Sequence, residues 1–122
     1  AQRLVKTLCP NTGTPKPVEG GIQAMLDEQF ADLPDKYKDK IPQTGNVYEP
    51  EPTESCPSGV QGRTAVFEMF TVTKEIEQTI LTNPTENAIY EVARKQGMLT
   101  MKDDAVIKAL DGTIPFYEVN GV

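Results

Sequence analysis

Leu8-Cys9-Pro10-Asn11-Thr12 near the start and Ser55-Cys56-Pro57-Ser58-Gly59-Val60-Gln61-Gly62-Arg63-Thr64 near the middle are the stretches that decide how this chain is read. Each is shaped like half of a tetracysteine zinc site. A structural zinc takes four ligands in a tetrahedron, and two Cys-x-x-Cys turns supply two apiece. Here each turn keeps one cysteine, and the 122 residues contain 2 cysteines and no histidine in all. The soft and borderline ligands therefore run out before coordination closes, since carboxylates such as Glu54 are poor substitutes in a structural site. Bound zinc is expected to be absent. The loop between the phrases must then be held by other means: prolines that restrict the unfolded chain, and apolar cover from a helix that follows the first phrase.

Working outward, the length corresponds to one domain with a modest core. The net charge is -6, from 18 acidic and 12 basic residues, and the cations are scattered. Direct nucleic-acid binding is disfavoured, because it needs clustered cations to meet phosphates. No apolar run is long enough to span a bilayer and no signal-peptide pattern is present, so a cytosolic protein is expected, with membrane association only through partners. Two cysteines do not make a disulfide framework, which agrees with a reducing compartment.

Leu4, Val5 and Leu8 carry helical spacing, so residues 1–8 read as the end of a helix already under way, and the chain as a domain excised from a longer one. Pro10, Gly13, Pro15 and Pro17 then forbid regular structure for a short loop. Ile22, Met25, Leu26, Phe30 and Leu33 make one face of a helix over 21–33 that Pro34 ends. Residues 35–55 are crowded with Pro42, Gly45, Pro50 and Pro52, leaving room for a short strand at Val47 and Tyr48. Ala65, Val66, Phe67, Met69, Phe70 and Val72 predict a strand over 63–72, buried on both faces.

Beyond residue 72 the pattern changes to short capped helices. One starting at Thr73 is expected to bury Ile76, Ile80 and Leu81. Asn83-Pro84-Thr85-Glu86 offers an N-cap, a proline at the first helical position and a glutamate at the third. The helix that follows turns Ile89, Val92 and Ala93 inward and ends at Gly97. Thr100 caps another that carries Met101, Ala105, Ala109 and Leu110 on one face, with Gly112 beyond its end. Thr113 opens a last turn through Phe116 and Val119. The expected fold is α+β and mostly α. It comprises a core-helix end at 1–8, a zinc-knuckle-like subdomain at 9–72 with a short strand or two, and a helical bundle at 73–122.

Chemistry is bounded by absences in the sequence itself. There is no Gly-x-x-x-x-Gly-Lys-[Ser/Thr] loop to cradle a nucleotide phosphate. Without histidine there is no imidazole base and no triad. The carboxylate pairs Asp103-Asp104 and Glu75/Glu77 fall at helix starts, where the helix dipole favours negative charge. The chain by itself reads as non-enzymatic, with no catalytic residue and no cofactor of its own.

Three phrases carry a family resemblance. Ala1-Gln2-Arg3-Leu4-Val5-Lys6-Thr7-Leu8-Cys9-Pro10 resembles the Ala-Gln-Arg-Leu-Val-Arg-x-Leu-Cys-Pro phrase of the type IV pilus assembly and type II secretion ATPases. In that family the phrase ends the RecA-like core and leads into a zinc knuckle. Gly59-Val60-Gln61-Gly62-Arg63-Thr64-Ala65-Val66-Phe67-Glu68 is similar to the Gly-Tyr-x-Gly-Arg-Thr-Gly-Ile-Tyr-Glu that follows the second knuckle. The run from Ala93 to Asp104, with Lys108, Leu110, Gly112, Glu118 and Val119, is similar to the closing helices.

The resemblance implies a hexameric, magnesium-dependent P-loop ATPase that drives pilin or pseudopilin assembly through an inner-membrane platform protein. This chain would be its C-terminal region, with the ATP and magnesium sites upstream of Ala1. Its partners would be the motor core of the same parent chain, neighbouring subunits and that platform protein, all at the cytoplasmic side of the inner membrane. Arg3 and Arg63 are the candidate interface cations. Against the family pattern, Thr12 stands where the first knuckle has its second sulfur, and the turn after Cys56 is shortened. Cys9, Thr12 and Cys56 therefore read as vestigial ligand positions. Because both phrases converge on one metal in the family, Cys9 and Cys56 are expected close together, within reach of a disulfide under oxidising handling and reduced in the cytosol, with a bridge excluded should their Cα atoms be more than about 7 Å apart. A stand-alone interaction module derived from the same domain is the alternative; the coding sequence upstream of Ala1 separates the two.

Overall fold

The computed structural model describes residues 1–122 and is an α+β arrangement of four strands, four α-helices and two 3-10 segments. Strand β1 (Gln2–Leu8) pairs antiparallel with β4 (Val60–Phe67), and β2 (Thr14–Pro17) pairs antiparallel with β3 (Asn46–Glu49). Residues 1–8 are thus a strand and not the end of a helix. Leu4, Val5 and Leu8 suit either structure in so short a piece, and pairing with a strand far along the chain decides it. Val5 and Leu8 are buried, while Leu4 is 61% exposed.

A bulge interrupts the first ladder. Lys6 faces Arg63 and Leu8 faces Val60, so Gln61 and Gly62 together oppose Thr7. Gly62 takes φ +77°, a left-handed conformation that costs a glycine little. The expected strand over 63–72 lies instead at 60–67 and buries only Val66. Met69, Phe70 and Val72 fall beyond it and are exposed. Strand β2 lay hidden in the sequence because it holds Pro15 and Pro17; a four-residue strand in a two-stranded sheet has an open edge, where missing donors are tolerated.

Helix α1 (Gly20–Gln29) presents Leu26, with Phe30 and Leu33 just past its end, to the main core. A 3-10 segment (Asp35–Lys40) follows Pro34. Helix α4 (Met101–Leu110) is the centre of that core: Ala105, Val106, Ala109 and Leu110 meet Val5, Val47, Val66, Ile114 and Val119. Its alanines let sheet and loops approach closely. Helices α2 (Lys74–Thr82) and α3 (Glu86–Lys95) form a second, smaller cluster around Ile76, Ala93 and Met98. The closing helices are therefore divided between two cores instead of forming one bundle. Ile80 and Leu81, expected inside, are 45% and 79% exposed, because α2 is covered on the Ile76 side alone.

The caps follow local chemistry. Thr73, Thr85 and Thr100 each accept from the backbone N–H three residues on. The cap of α3 is thus Thr85, two residues past the expected Asn83. At Thr100 the box closes in both directions with Asp103. Helix α3 ends in a pair of bonds, Met98 N–H to the Ala93 carbonyl (3.1 Å) and Gly97 N–H to Arg94 (3.0 Å), and α4 ends the same way at Gly112. Gly97 has φ +92°, and a Cβ there would stand 2.7 Å from ring carbons of Tyr37. Gly97→Ala is therefore expected to lower unfolding free energy by roughly 1–3 kcal/mol. Gly21→Ala, in open space on α1, should raise it by about 0.4–1 kcal/mol. Urea denaturation of the two variants checks both signs.

Candidate functional site

The two sequence phrases meet in space. Cys9 follows β1 directly, and Cys56 sits four residues before β4, so the β1–β4 pairing carries both to one end of the sheet. Their Cα atoms are 6.7 Å apart, close together as expected, and their sulfurs are joined in a disulfide. Both are buried. The Thr12 hydroxyl donates to the Cys9 carbonyl at 2.7 Å, so it is turned to the backbone. The Cys56 N–H is bound by the Thr53 hydroxyl and carbonyl. This donor set does not fit a tetrahedral zinc: the two sulfurs are used on each other, and no group of three or more Cys, His, Asp or Glu side chains gathers where a metal could be held.

A second cluster lies between α1, α3 and α4. Arg94, 2% exposed, donates through Nη1 to Asp103 Oδ2 and to the Met98 carbonyl (2.8 Å), through Nε to Asp32 Oδ1 (2.9 Å), and through Nη2 to the Gln29 carbonyl (3.1 Å). Asp103, fully buried, also accepts from Gln29 Nε2 (2.8 Å) and from the Thr100 N–H (2.8 Å). Tyr90 donates its hydroxyl to Asp32 Oδ2 at 2.7 Å. No buried side-chain nitrogen or oxygen lacks a partner. Burial pushes the Arg94 pKa down, but the hydrogen bond and charge of Asp103, then the bond to Asp32, outweigh it and hold it above its ordinary value. Burial also pushes Asp32 up; hydrogen bonds from Tyr90 and Arg94, with the Arg94 charge, prevail and hold its carboxyl low. Burial and the bond to Asp32 push the Tyr90 phenol up to about 12.

Sequence reasoning took Asp103 as a helix-start acid, which it is, but missed the role of Arg94. The available signal was spacing: Arg94 lies four residues after Tyr90 and beside Ala93, on the side of α3 that faces inward. A cavity lined by Gln29, Asp32, Tyr90 and Lys102 opens beside the cluster, but the polar atoms of Arg94, Asp32 and Asp103 are spent on one another, so the work of the cluster is positional. Asp104, Lys108 and Glu68 extend it toward the sheet. Asp104 accepts from the Phe67 N–H (2.9 Å) and Lys108 (2.8 Å), and Glu68 accepts from the Met101 N–H (3.2 Å).

The two interface candidates part company. Arg3 is exposed and donates to the Gly121 carbonyl, tying the C-terminal 3-10 segment (Phe116–Gly121) to β1. Arg63 is exposed and faces Lys6 across the ladder, and its side chain makes no hydrogen bond or ion pair within the chain. Gln2, Leu4, Lys6, Arg63, Ala65 and Phe67 alternate onto the same outer face of the sheet.

Two outcomes follow from the Arg94 cluster. Arg94→Met leaves Asp103 buried without its cation and should cost about 3–5 kcal/mol in urea denaturation. Pairing it with Asp103→Leu should cost less than the sum of the single losses. The Tyr90 phenol, read as the difference in phenolate absorbance between the chain and Tyr90→Phe, should titrate near 12 and move back toward 10.0 in Asp32→Asn. Its folded value lies above its unfolded one, so its contribution to stability is present below pH 10.0 and fades as pH rises through about 12. Asp32 acts oppositely, losing its contribution as pH falls through its lowered pKa; half exposed, it contributes little.

Residues 1–121 match the family of Type II/IV secretion system proteins. The chain is 30% identical over 122 residues to the type IV pilus assembly ATPase PilB of Pseudomonas aeruginosa, an alignment that takes in 100% of the chain and 20% of that protein. With PilB of Thermus thermophilus it shares 35% identity over 120 residues, 98% of the chain and 12% of the relative. With type II secretion system protein E of Xanthomonas campestris it shares 34% over 73 residues, 60% of the chain and 13% of the relative. The chain thus spans a fifth or less of the length of these relatives. No helix is long and apolar enough to cross a membrane. On the match across nearly its whole length, the chain belongs to the type II/IV secretion system protein family.

Proposed function

We propose that this chain is the C-terminal region of a P-loop ATPase that powers type IV pilus assembly or type II secretion, and that it supports the motor without catalysing anything itself. The observation that carries this reading is the conjunction of a family match over residues 1–121 with a sequence that has no phosphate-cradling loop. ATP and magnesium would then be bound by the motor core of the parent chain, at the cytoplasmic side of the inner membrane. The helices braced by Arg94 would cap that core.

The outer face of the β1–β4 sheet is the surface best suited to the core or to a neighbouring subunit of a hexamer. Leu4 and Phe67 are exposed on it, and Lys6 and Arg63 stand opposite one another, neither in an ion pair within the chain. A platform protein at the membrane would be a further partner, and nucleic acid would not. Zinc would be absent, in keeping with a donor set that cannot close a tetrahedron.

The purified 122-residue chain is expected to show no ATP hydrolysis and no nucleotide binding by calorimetry. Joined to a motor core from its own upstream coding sequence, it should be required for full turnover. Hydrolysis by the isolated chain would overturn the reading. A start codon immediately upstream of Ala1, with no Gly-x-x-x-x-Gly-Lys-[Ser/Thr] loop encoded within about one domain length before it, would replace it with that of a stand-alone module.

A further inference from the structure

Cys9 and Cys56 close the ends of the region that holds β2, α1 and β3, a separation of 47 residues. A hydrogen-bonded turn opens at each cysteine. Thr12 N–H donates to the Cys9 carbonyl at 3.2 Å, and Gly59 N–H donates to the Cys56 carbonyl at 3.1 Å. Each turn contains a left-handed residue, Asn11 at φ +58° and Gly59 at φ +77°. The turns are stitched together by the Cys9 N–H, which donates to the Gly59 carbonyl at 3.2 Å. Gly59 has no room to become anything else, since a Cβ there would lie 2.8 Å from Pro50 Cβ and 2.9 Å from Glu51 N. Two hydrogen-bonded turns thus hold the two sulfurs together, with no third or fourth ligand beside them to complete a metal site. Cys9 is 4% exposed and Cys56 9%, and their Cα separation lies within the range a disulfide spans.

We infer that the Cys9–Cys56 disulfide is a redox-dependent staple that closes this region in place of a metal, so that the fold depends on a thiol/disulfide couple and not on zinc. The bond forms by exchange with a small disulfide such as oxidised glutathione. One cysteine thiolate attacks that disulfide, giving a mixed disulfide and releasing one small thiol. The second thiolate then attacks the protein sulfur of the mixed disulfide and releases the other. Two electrons pass from the cysteines to the small disulfide, and the two protons end on the released thiols. The closed loop is long, so the constraint on the unfolded chain is large.

The inference is independent of the motor assignment, because its test reads thiols, mass and melting, and no nucleotide turnover. The chain is produced with zinc in the medium, equilibrated with glutathione buffers and examined by thiol titration, intact mass, zinc content and thermal melting. Expected are a species two hydrogens lighter than the dithiol with no reactive thiol, no stoichiometric zinc, and a midpoint that falls by about 10–20 °C in phosphine reductant. Cys9→Ser/Cys56→Ser should melt like the reduced chain and ignore reductant. Should that variant not fold, the reductant arm on the unaltered chain reads the same quantity. Thiols that stay free in excess oxidised glutathione, a melt indifferent to reductant, or one zinc per chain would each overturn the inference.

Discussion

Arg94 and Asp103 form an ion pair that water scarcely reaches, and three helix ends are arranged around it. A charge so placed is costly unless every polar atom it brings inside is partnered. The guanidinium meets the requirement by gathering Asp103, Asp32 and the carbonyls of Gln29 and Met98, which belong to the start of α4, the exit of α1 and the turn after α3. Those segments cannot shift independently without leaving a buried donor empty. The same Asp103 closes the capping box of α4, so the helix at the centre of the main core starts where the ion pair holds it.

From that start the remaining architecture is propagated by α4. Its small residues allow the sheet to pack close, and the Asp104 carboxylate takes the backbone N–H of Phe67 at the end of β4. Strand β4 in turn pairs with β1, and their far end carries the cysteine junction. The Arg94 pair and the Cys9–Cys56 bond thus brace opposite ends of one path through the molecule, one by satisfied charge and the other by a covalent link.

Much of the helical half was legible in the sequence, and for a local reason. Threonine caps, Gly97 and Gly112 act on backbone groups within a few residues of themselves, so their chemistry needs no knowledge of the fold. Leu26, Phe30 and Leu33 were legible as core residues, although the helix expected over 21–33 stops at Gln29 and leaves the last two in the turns that follow; the strand at Val47 was legible too. Residues 1–8 were not, because their spacing suits a helix until a partner strand some sixty residues away is supplied. Nor was the exposure of Ile80 and Leu81, since a sequence shows that a face is apolar but not whether anything is packed on it.

The candidate site divides along the same line. The sequence by itself determined that a complete tetracysteine zinc site could not be built, since counting ligands suffices for that, and it placed Cys9 and Cys56 in two similar turns. Only the tertiary structure decided that the sulfurs join and that Arg94 sits at the meeting point of three helix ends. It also separated Arg3, bound to the C-terminal segment, from Arg63, left open on the sheet. The physical reason is range. Capping and ligand supply are set by neighbours along the chain, whereas a buried ion pair, a disulfide and a strand pairing exist only when distant segments are brought within bonding distance.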